Sequence, residues 1–351
     1  MAAMNIEVVR KFLKSFPNLQ SVLIISGSPC VGFSPAKTHP QGTFDPASRL
    51  IACMPTFLAI IKSILSETIA VFFLFENVVM DANDLVKKCV PLIDAAVNIE
   101  SAVIDSKLIC GTSRPRRYWT NLAFSTPSAV RVDARRYLTS GWLPLWEFPS
   151  GQPRPDVHFG TFTRGFPPGL PFEVPSEFKS FPRYPLHSYH DRLMVYLPTT
   201  SAENLKTISE WVKSSIRIKT FDIRNADGSS LRARGRLAKF IHVDNGHQFL
   251  RPLSCVERER LMGFPDGASS LPSDETIGSF FNLDQSRAIG NAFNVHMIKH
   301  LLMPYASFVH GRISASQALS SSWSFSSLPS ECSFESVLRS IQPSSSGGRT
   351  R

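Results

Sequence analysis

Three short segments carry side chains whose chemistry goes beyond packing. In SGSPCVGFSPA, residues 26–36, Cys30 follows a proline that fixes φ, while Gly27 and Gly32 permit close backbone approach. A cysteine in such a turn is a candidate nucleophile, since its thiolate attacks once neighbouring cations depress its pKa. An inert loop thiol has the same local sequence. In FENV, residues 75–78, Glu76 ends a strongly apolar run. A carboxyl group buried there tends to hold its proton and could donate it to a ring nitrogen; the alternative is an ordinary strand-end cap. In SRPRRYW, residues 113–119, Arg114 and Arg116 alternate around Pro115, so a strand would point both guanidiniums to one side, toward a phosphate or a carbonyl oxygen. A solvated basic turn also fits that composition.

These groups need elements to hold them. The apolar run SVLIISG, residues 21–27, reads as a buried strand, and VFFLF, residues 71–75, as a second. Helical spacing covers residues 5–16, 48–66 and 82–95, with further strands over 104–110 and 117–122. Strands alternating with helices predict a mostly parallel sheet, whose ligands gather beyond the carboxyl ends of the strands. Cys30, Glu76 and the arginine cluster all follow apolar runs in this way. From residue 123 to 244 Pro, Gly, aromatic and Arg residues replace long periodic runs, apart from a helical stretch at 202–214. Helical patterns return after Arg251, where Ser254 and Glu257 form an S-x-x-E capping box and Gly263 with Pro265 stops the helix. Beyond Ile313 the chain is Ser-rich and is expected to be largely disordered.

The 351 residues suffice for a large core, and a net charge of +10 favours a polyanionic partner, nucleic acid above all, although a merely basic surface gives the same sum. Six scattered cysteines include no CxxC pair, which argues against a zinc site or a disulfide framework, so no metal is expected. No signal-peptide pattern is visible, and charges interrupt the most apolar stretch, residues 50–79, so an intracellular protein without a membrane span is expected.

In order and spacing, the three segments resemble the motifs of the DNA cytosine-5 methyltransferase family. The Pro-Cys turn is similar to the family's nucleophile motif, Glu76 and Asn77 to its ENV motif, and Arg114 and Arg116 to its RxR motif; Thr112 stands where the family usually has glutamine. RPLSCVERERLMGFPD, residues 251–266, is similar to the RxLxxxExxRxxGFP segment, and AIGNAFNV, residues 288–295, to the terminal GN helix. The spelling resembles the animal de novo branch most closely. The resemblance implies an α/β, Rossmann-like sheet dependent on S-adenosylmethionine, with an irregular inserted target-recognition domain. It implies catalytic roles for Cys30, Glu76, Asn77, Arg114 and Arg116, and cofactor contacts from Asn291, Ala292 and Phe293. The target cytosine would be flipped out of the duplex, Cys30 would attack carbon 6, Glu76 would serve ring nitrogen 3, and Arg116 would hold the base oxygen.

The resulting divisions are a partial catalytic domain over 1–122, a target-recognition-like region over 123–248, a return to the catalytic domain over 249–310 and a disordered tail over 311–351. Arginines that include Arg131, Arg135, Arg136, Arg232, Arg234 and Arg236 could line a DNA groove, positioning without specifying sequence, and some of them are expected to be simply solvated. The family's strand and Gly-rich FxGxG turn do not precede Ser21, so the sheet is expected to be incomplete at its N-terminal side and to expose an edge. A truncated sequence, a second chain completing the cofactor site, or a degenerate relative would each explain this. The expected partner is double-stranded DNA and the expected location the nucleus. The alternatives are a catalytically silent DNA-binding or regulatory paralogue and a transfer RNA cytosine-5 methyltransferase.

Overall fold

The computed structural model describes residues 6–34, 39–65, 68–160, 194–199, 202–203, 205–206, 209, 223–224, 230–231, 242–244, 247–270, 283–321, 323 and 334–343. The chain divides into two compact units, the first made of Met1–Asp105, Pro115–Pro127 and Met297–Arg351, the second of Ser106–Arg114 and Ser128–His296. The segment from Arg251 to His296 therefore clusters with the insert rather than with the first part of the chain.

The first unit is built on α1 (Ile6–Lys14), β1 (Ser21–Gly27), α2 (Cys53–Ile64), β2 (Ala70–Val78), α3 (Asp84–Val97), β3 (Ala102–Asp105) and β4 (Pro115–Thr120). The sheet order is β1-β2-β4-β3. β1 and β2 pair in parallel, while β4 runs antiparallel to both β2 and β3. Three strands thus share one direction, as the alternation of strand and helix predicts, and β4 enters between two of them as a reversal that the sequence pattern does not reveal. β3 is also shorter than expected: after Asp105 the chain tightens into a 3-10 turn, Ser106–Leu108.

β2 is interior because both its faces are apolar. Val71, Phe73 and Phe75 share a core with Met54, Leu58 and Ile61 of α2, Val86, Cys89 and Ile93 of α3, and Trp119 of β4. On the other side Phe72 packs with Leu122, Tyr305 and Phe308. A strand buried on both faces needs a continuous apolar run, which VFFLF supplies. α3 is fixed at its start by Asn83, whose side chain accepts the N–H of Val86, and ends at Asn98 in the left-handed region, φ 51°. Among the described residues β1 pairs with β2 alone, and Ile25 lies exposed on it.

The Ser-rich tail departs from expectation. Residues 334–340 form a helix, and Val337, Leu338 and Ile341 are buried in the first unit's core together with Trp323. Phe334, Val337, Leu338 and Ile341 stand at i, i+3, i+4 and i+7, the stripe of a packed helix, which the surrounding serines conceal in a composition count.

In the second unit a four-stranded sheet joins β5 (Leu143–Pro144), β6 (Met194–Tyr196), β9 (His242–Asp244) and β10 (His247–Pro252) in the order β5-β6-β10-β9, and β7 (Ile223–Arg224) pairs with β8 (Ser230–Leu231). Its core gathers Cys110, Tyr137, Leu138, Phe159, Val195, Leu253, Leu261, Met262 and Ile289. The helix α4 (Cys255–Met262) carries the capping box read from the sequence: the Ser254 side chain accepts the Glu257 N–H, the Glu257 side chain accepts the Ser254 N–H, and Gly263 ends the helix at φ 83°. The expected helix over 202–214 lies largely outside the described residues. Among the described residues no helix is long and apolar enough to cross a membrane.

One side chain acts as part of the first sheet. Asn121, fully buried just after β4, accepts the Phe73 N–H at 2.9 Å and donates to the Val71 carbonyl at 2.8 Å, extending the ladder where the backbone has turned away. Asn121→Ala leaves two buried backbone groups unmatched and is expected to cost about 2–5 kcal/mol in chemical denaturation of the whole chain.

Candidate active site

The site in the first unit is organised by strand register. β1 and β2 end together, with Gly27 beside Glu76. Cys30 lies three residues beyond Gly27, so its Cα is within about 11 Å of that strand end. The connecting turn is tied to β2 by Asn77, whose amide donates to the Ser28 hydroxyl at 2.7 Å and to the Ser28 carbonyl at 3.2 Å. Asn77 thus serves the turn that carries Cys30, a role its buried position on β2 makes rigid.

Cys30 is half-buried, and its carbonyl accepts the N–H groups of Phe33 and Ser34, closing the turn. Gly32 sits inside that turn and is enclosed: a Cβ there would lie 2.5 Å from Asp45 Cβ, 2.6 Å from the Gly42 carbonyl oxygen and 2.7 Å from Ser48 Oγ. Glycine is required here by space rather than by an unusual φ.

Glu76 meets a cation. Its Oε1 lies 2.8 Å from Arg116 Nε, and the two side chains are only 13% and 12% exposed. β4 makes the contact possible: Glu76 is opposite Tyr118 and Val78 opposite Arg116, so Arg116 is the diagonal neighbour on the same face. Its Nη1 donates to the Pro115 carbonyl, which fixes the plane of the guanidinium. The carboxylate is thus oriented by a charge-assisted bond while part of both groups still reaches solvent.

Arg114 behaves differently. It precedes β4 instead of alternating within it, is 3% exposed, and donates through Nη2 to the carbonyls of Gly290 and Ala292 at 3.1 and 2.9 Å. The expected common face for Arg114 and Arg116 is therefore not formed, because the strand begins only at Pro115. Arg114 instead fixes the turn after α5 (Leu283–Asn291) in the second unit. Thr112 directs its hydroxyl to the carbonyls of Phe159 and Gly160.

That turn contains the expected cofactor residues. Asn291 is exposed, Ala292 and Phe293 are half-buried, and the Ala292 carbonyl is already engaged by Arg114. One amide and one ring edge fall short of a cradle for an adenine, a ribose and a sulfonium amino acid together. Among the described residues no group of three or more His, Cys, Asp or Glu stands together to hold a metal ion.

The arginines expected in a DNA groove also separate. Arg135 forms an ion pair with Glu147, which is 2% exposed, at 2.7 Å. Burial pushes the Glu147 carboxyl up in pKa and Arg135 opposes that shift, while the Arg135 side chain itself stays partly exposed. Arg136 lies over the Tyr137 ring, 4.8 Å from its centre, and Arg131 is exposed. Arg232, Arg234 and Arg236 lie outside the described residues.

The chain matches no family model and no curated protein. Solved structures share a partial likeness. The S. pombe Dnmt2 methyltransferase is 17% identical with a TM-score of 0.37, over 84% of this chain and 81% of that one. The Entamoeba histolytica methyltransferase EhMeth is 13% identical with a TM-score of 0.40, over 85% and 82%. A Spodoptera frugiperda DNMT2 mutant is 13% identical with a TM-score of 0.41, over 85% and 82%.

The thiols should differ in reactivity. Burial raises the pKa of Cys53 and of Cys89, so both hold little thiolate at neutral pH. With limiting iodoacetamide at pH 7.5, mass spectrometry of peptides from the whole chain is expected to find Cys30 modified before either. Modification of Cys89 first would contradict the exposure assigned to the Pro-Cys turn.

Proposed function

We propose that this chain acts on cytosine in DNA as a cytosine-5 methyltransferase. The observation that carries the proposal is the Glu76–Arg116 ion pair, set at the end of β2 beside the strand end from which the Cys30 turn departs. A nucleophile, a carboxyl group and a guanidinium in that neighbourhood match what addition to a pyrimidine ring requires.

The Cys30 thiolate forms a bond from Sγ to carbon 6. The ring electrons shift toward nitrogen 3, where Glu76 in its protonated form donates a proton, and carbon 5 becomes electron-rich. Arg116 holds Glu76 through Nε and offers the outer edge of its guanidinium to the base oxygen. Asn77 keeps the Ser28 peptide in place, so the thiol approaches from a fixed direction. In this reaction class S-adenosylmethionine would supply the methyl group, and the contribution of this chain's own residues is the activated carbon 5 and the Cys30 thiolate, which leaves again when the carbon 5 proton is lost to water. The net charge of +10 accords with a polyanionic substrate, and a nuclear protein is the corresponding expectation.

The test is transfer of tritiated methyl groups from S-adenosylmethionine to duplex DNA by the whole chain. Wild-type protein is expected to label DNA, Cys30→Ala to label none, and Glu76→Gln to lose about 10²–10⁴-fold in rate. DNA binding without any labelling would instead indicate a silent paralogue, and labelling of transfer RNA in place of DNA would reassign the substrate.

A further inference from the structure

The turn bearing Cys30 is held from a second side by residues belonging to none of the motifs above. Gly32 is gripped through both halves of its backbone. Its N–H donates to Ser48 Oγ at 2.7 Å, and its carbonyl accepts the Gly42 N–H at 2.8 Å. Ser48 is fully buried and sits at the start of a 3-10 segment, Ser48–Ala52. Asp45 fixes the approach to that segment: its Oδ1 accepts the N–H groups of Ala47 and Ser48 at 3.0 and 3.2 Å, and its carbonyl accepts the Arg49 N–H at 3.1 Å.

The two holds are complementary. Asn77 fixes Ser28, two residues before Cys30, and Ser48 fixes Gly32, two residues after it. Between these anchors only Pro29, Cys30 and Val31 are left, and Pro29 has a restricted φ. The Cys30 Cα therefore has little freedom to move toward or away from the strand end where Glu76 sits.

We infer that Ser48, oriented by Asp45, is a positioning residue that sets the attack geometry of Cys30. This rests on Cys30 being the nucleophile proposed above. It adds a requirement that lies 18 residues beyond the Pro-Cys motif: a buried hydrogen-bond acceptor at residue 48 within reach of the Gly32 N–H. Ser48→Ala leaves that N–H without its acceptor, so beyond Cys30 the turn keeps only the Gly42 bond to the Gly32 carbonyl and can shift relative to the Asn77 hold.

The experiment follows the covalent step without any methyl transfer. The whole chain is mixed with duplex DNA carrying pyrimidin-2-one in place of cytosine within mixed flanking sequence, and the adduct is counted on denaturing gels against time and DNA concentration. Ser48→Ala is expected to slow adduct formation at saturating DNA by about tenfold to a hundredfold, since misplacement on the scale of an ångström has effects of that size. The DNA concentration giving half-saturation should stay within about twofold, because phosphate contacts dominate affinity and are untouched. Ser48→Thr keeps the hydroxyl and should restore most of the rate. If Ser48→Ala does not fold, Ser48→Cys, of similar volume but a weak acceptor, takes its place with the same expectation. A wild-type adduct formed equally fast by these variants, or a loss seen only in half-saturation, would overturn the inference and leave the functional proposal standing. A wild-type chain forming no adduct would overturn the functional proposal itself, and the inference with it.

Discussion

The parallel pairing of β1 with β2 is the constraint on which the site depends. Because the two strands end in register at Gly27 and Glu76, a turn leaving one strand and a carboxylate ending the other share one end of the sheet. The pairing persists because β2 is buried on both faces, so a slip by one residue would turn Glu76 and Asn77 over and carry a charge into the core. Asn77 converts this strand register into loop position by bonding Ser28, and Asn121 closes the opposite end of the ladder on Val71 and Phe73. Chemistry at one end and structural polarity at the other thus hang on the same strand.

Charge in this chain is divided between two uses. Arg114 is spent on an interior contact with the carbonyls of Gly290 and Ala292, whereas Arg135 pairs with the buried Glu147 while its own side chain stays partly exposed. Arg258 is wholly buried, donates to the Leu253 carbonyl, and has its pKa pushed down to about 10 by burial. Arg114 and Arg258 thus add to the net positive charge from buried positions. Arg116 differs, since it is engaged by one carboxylate at a strand end that still meets solvent. The overall charge is therefore a poor guide to which arginines could touch a nucleic acid, and the burial of each partner decides it.

Local signals were legible wherever the physics is local. The capping box of Ser254 and Glu257 needs only residues three apart, and the helix stop at Gly263 needs only one permissive φ; both were readable and both are formed. The tail misled because a serine count averages over the i, i+3, i+4, i+7 stripe from Phe334 to Ile341 that packs into the core. Arg114 misled because alternation assumes a strand, and the strand begins one residue later, at Pro115. Ser48 had no signal at all: nothing in its neighbours marks it as the acceptor for a glycine sixteen residues earlier.

The sequence by itself determined which residue types are available and where short-range order begins and ends: a cysteine after a proline, a carboxylate closing an apolar strand, and arginines beside aromatic residues. Apolar runs and capping pairs act over a few residues, so they can be recognised without knowing what lies across the fold. The tertiary structure decided which of these groups meet. Strand order placed β4 against β2 and thereby gave Glu76 its partner in Arg116, while the packing of Gly42–Ser48 against Gly32 gave the Cys30 turn its second anchor. Those contacts join residues ten to forty apart in the chain, and such pairings are selected by burial and register across the whole sheet, which no short window of sequence contains.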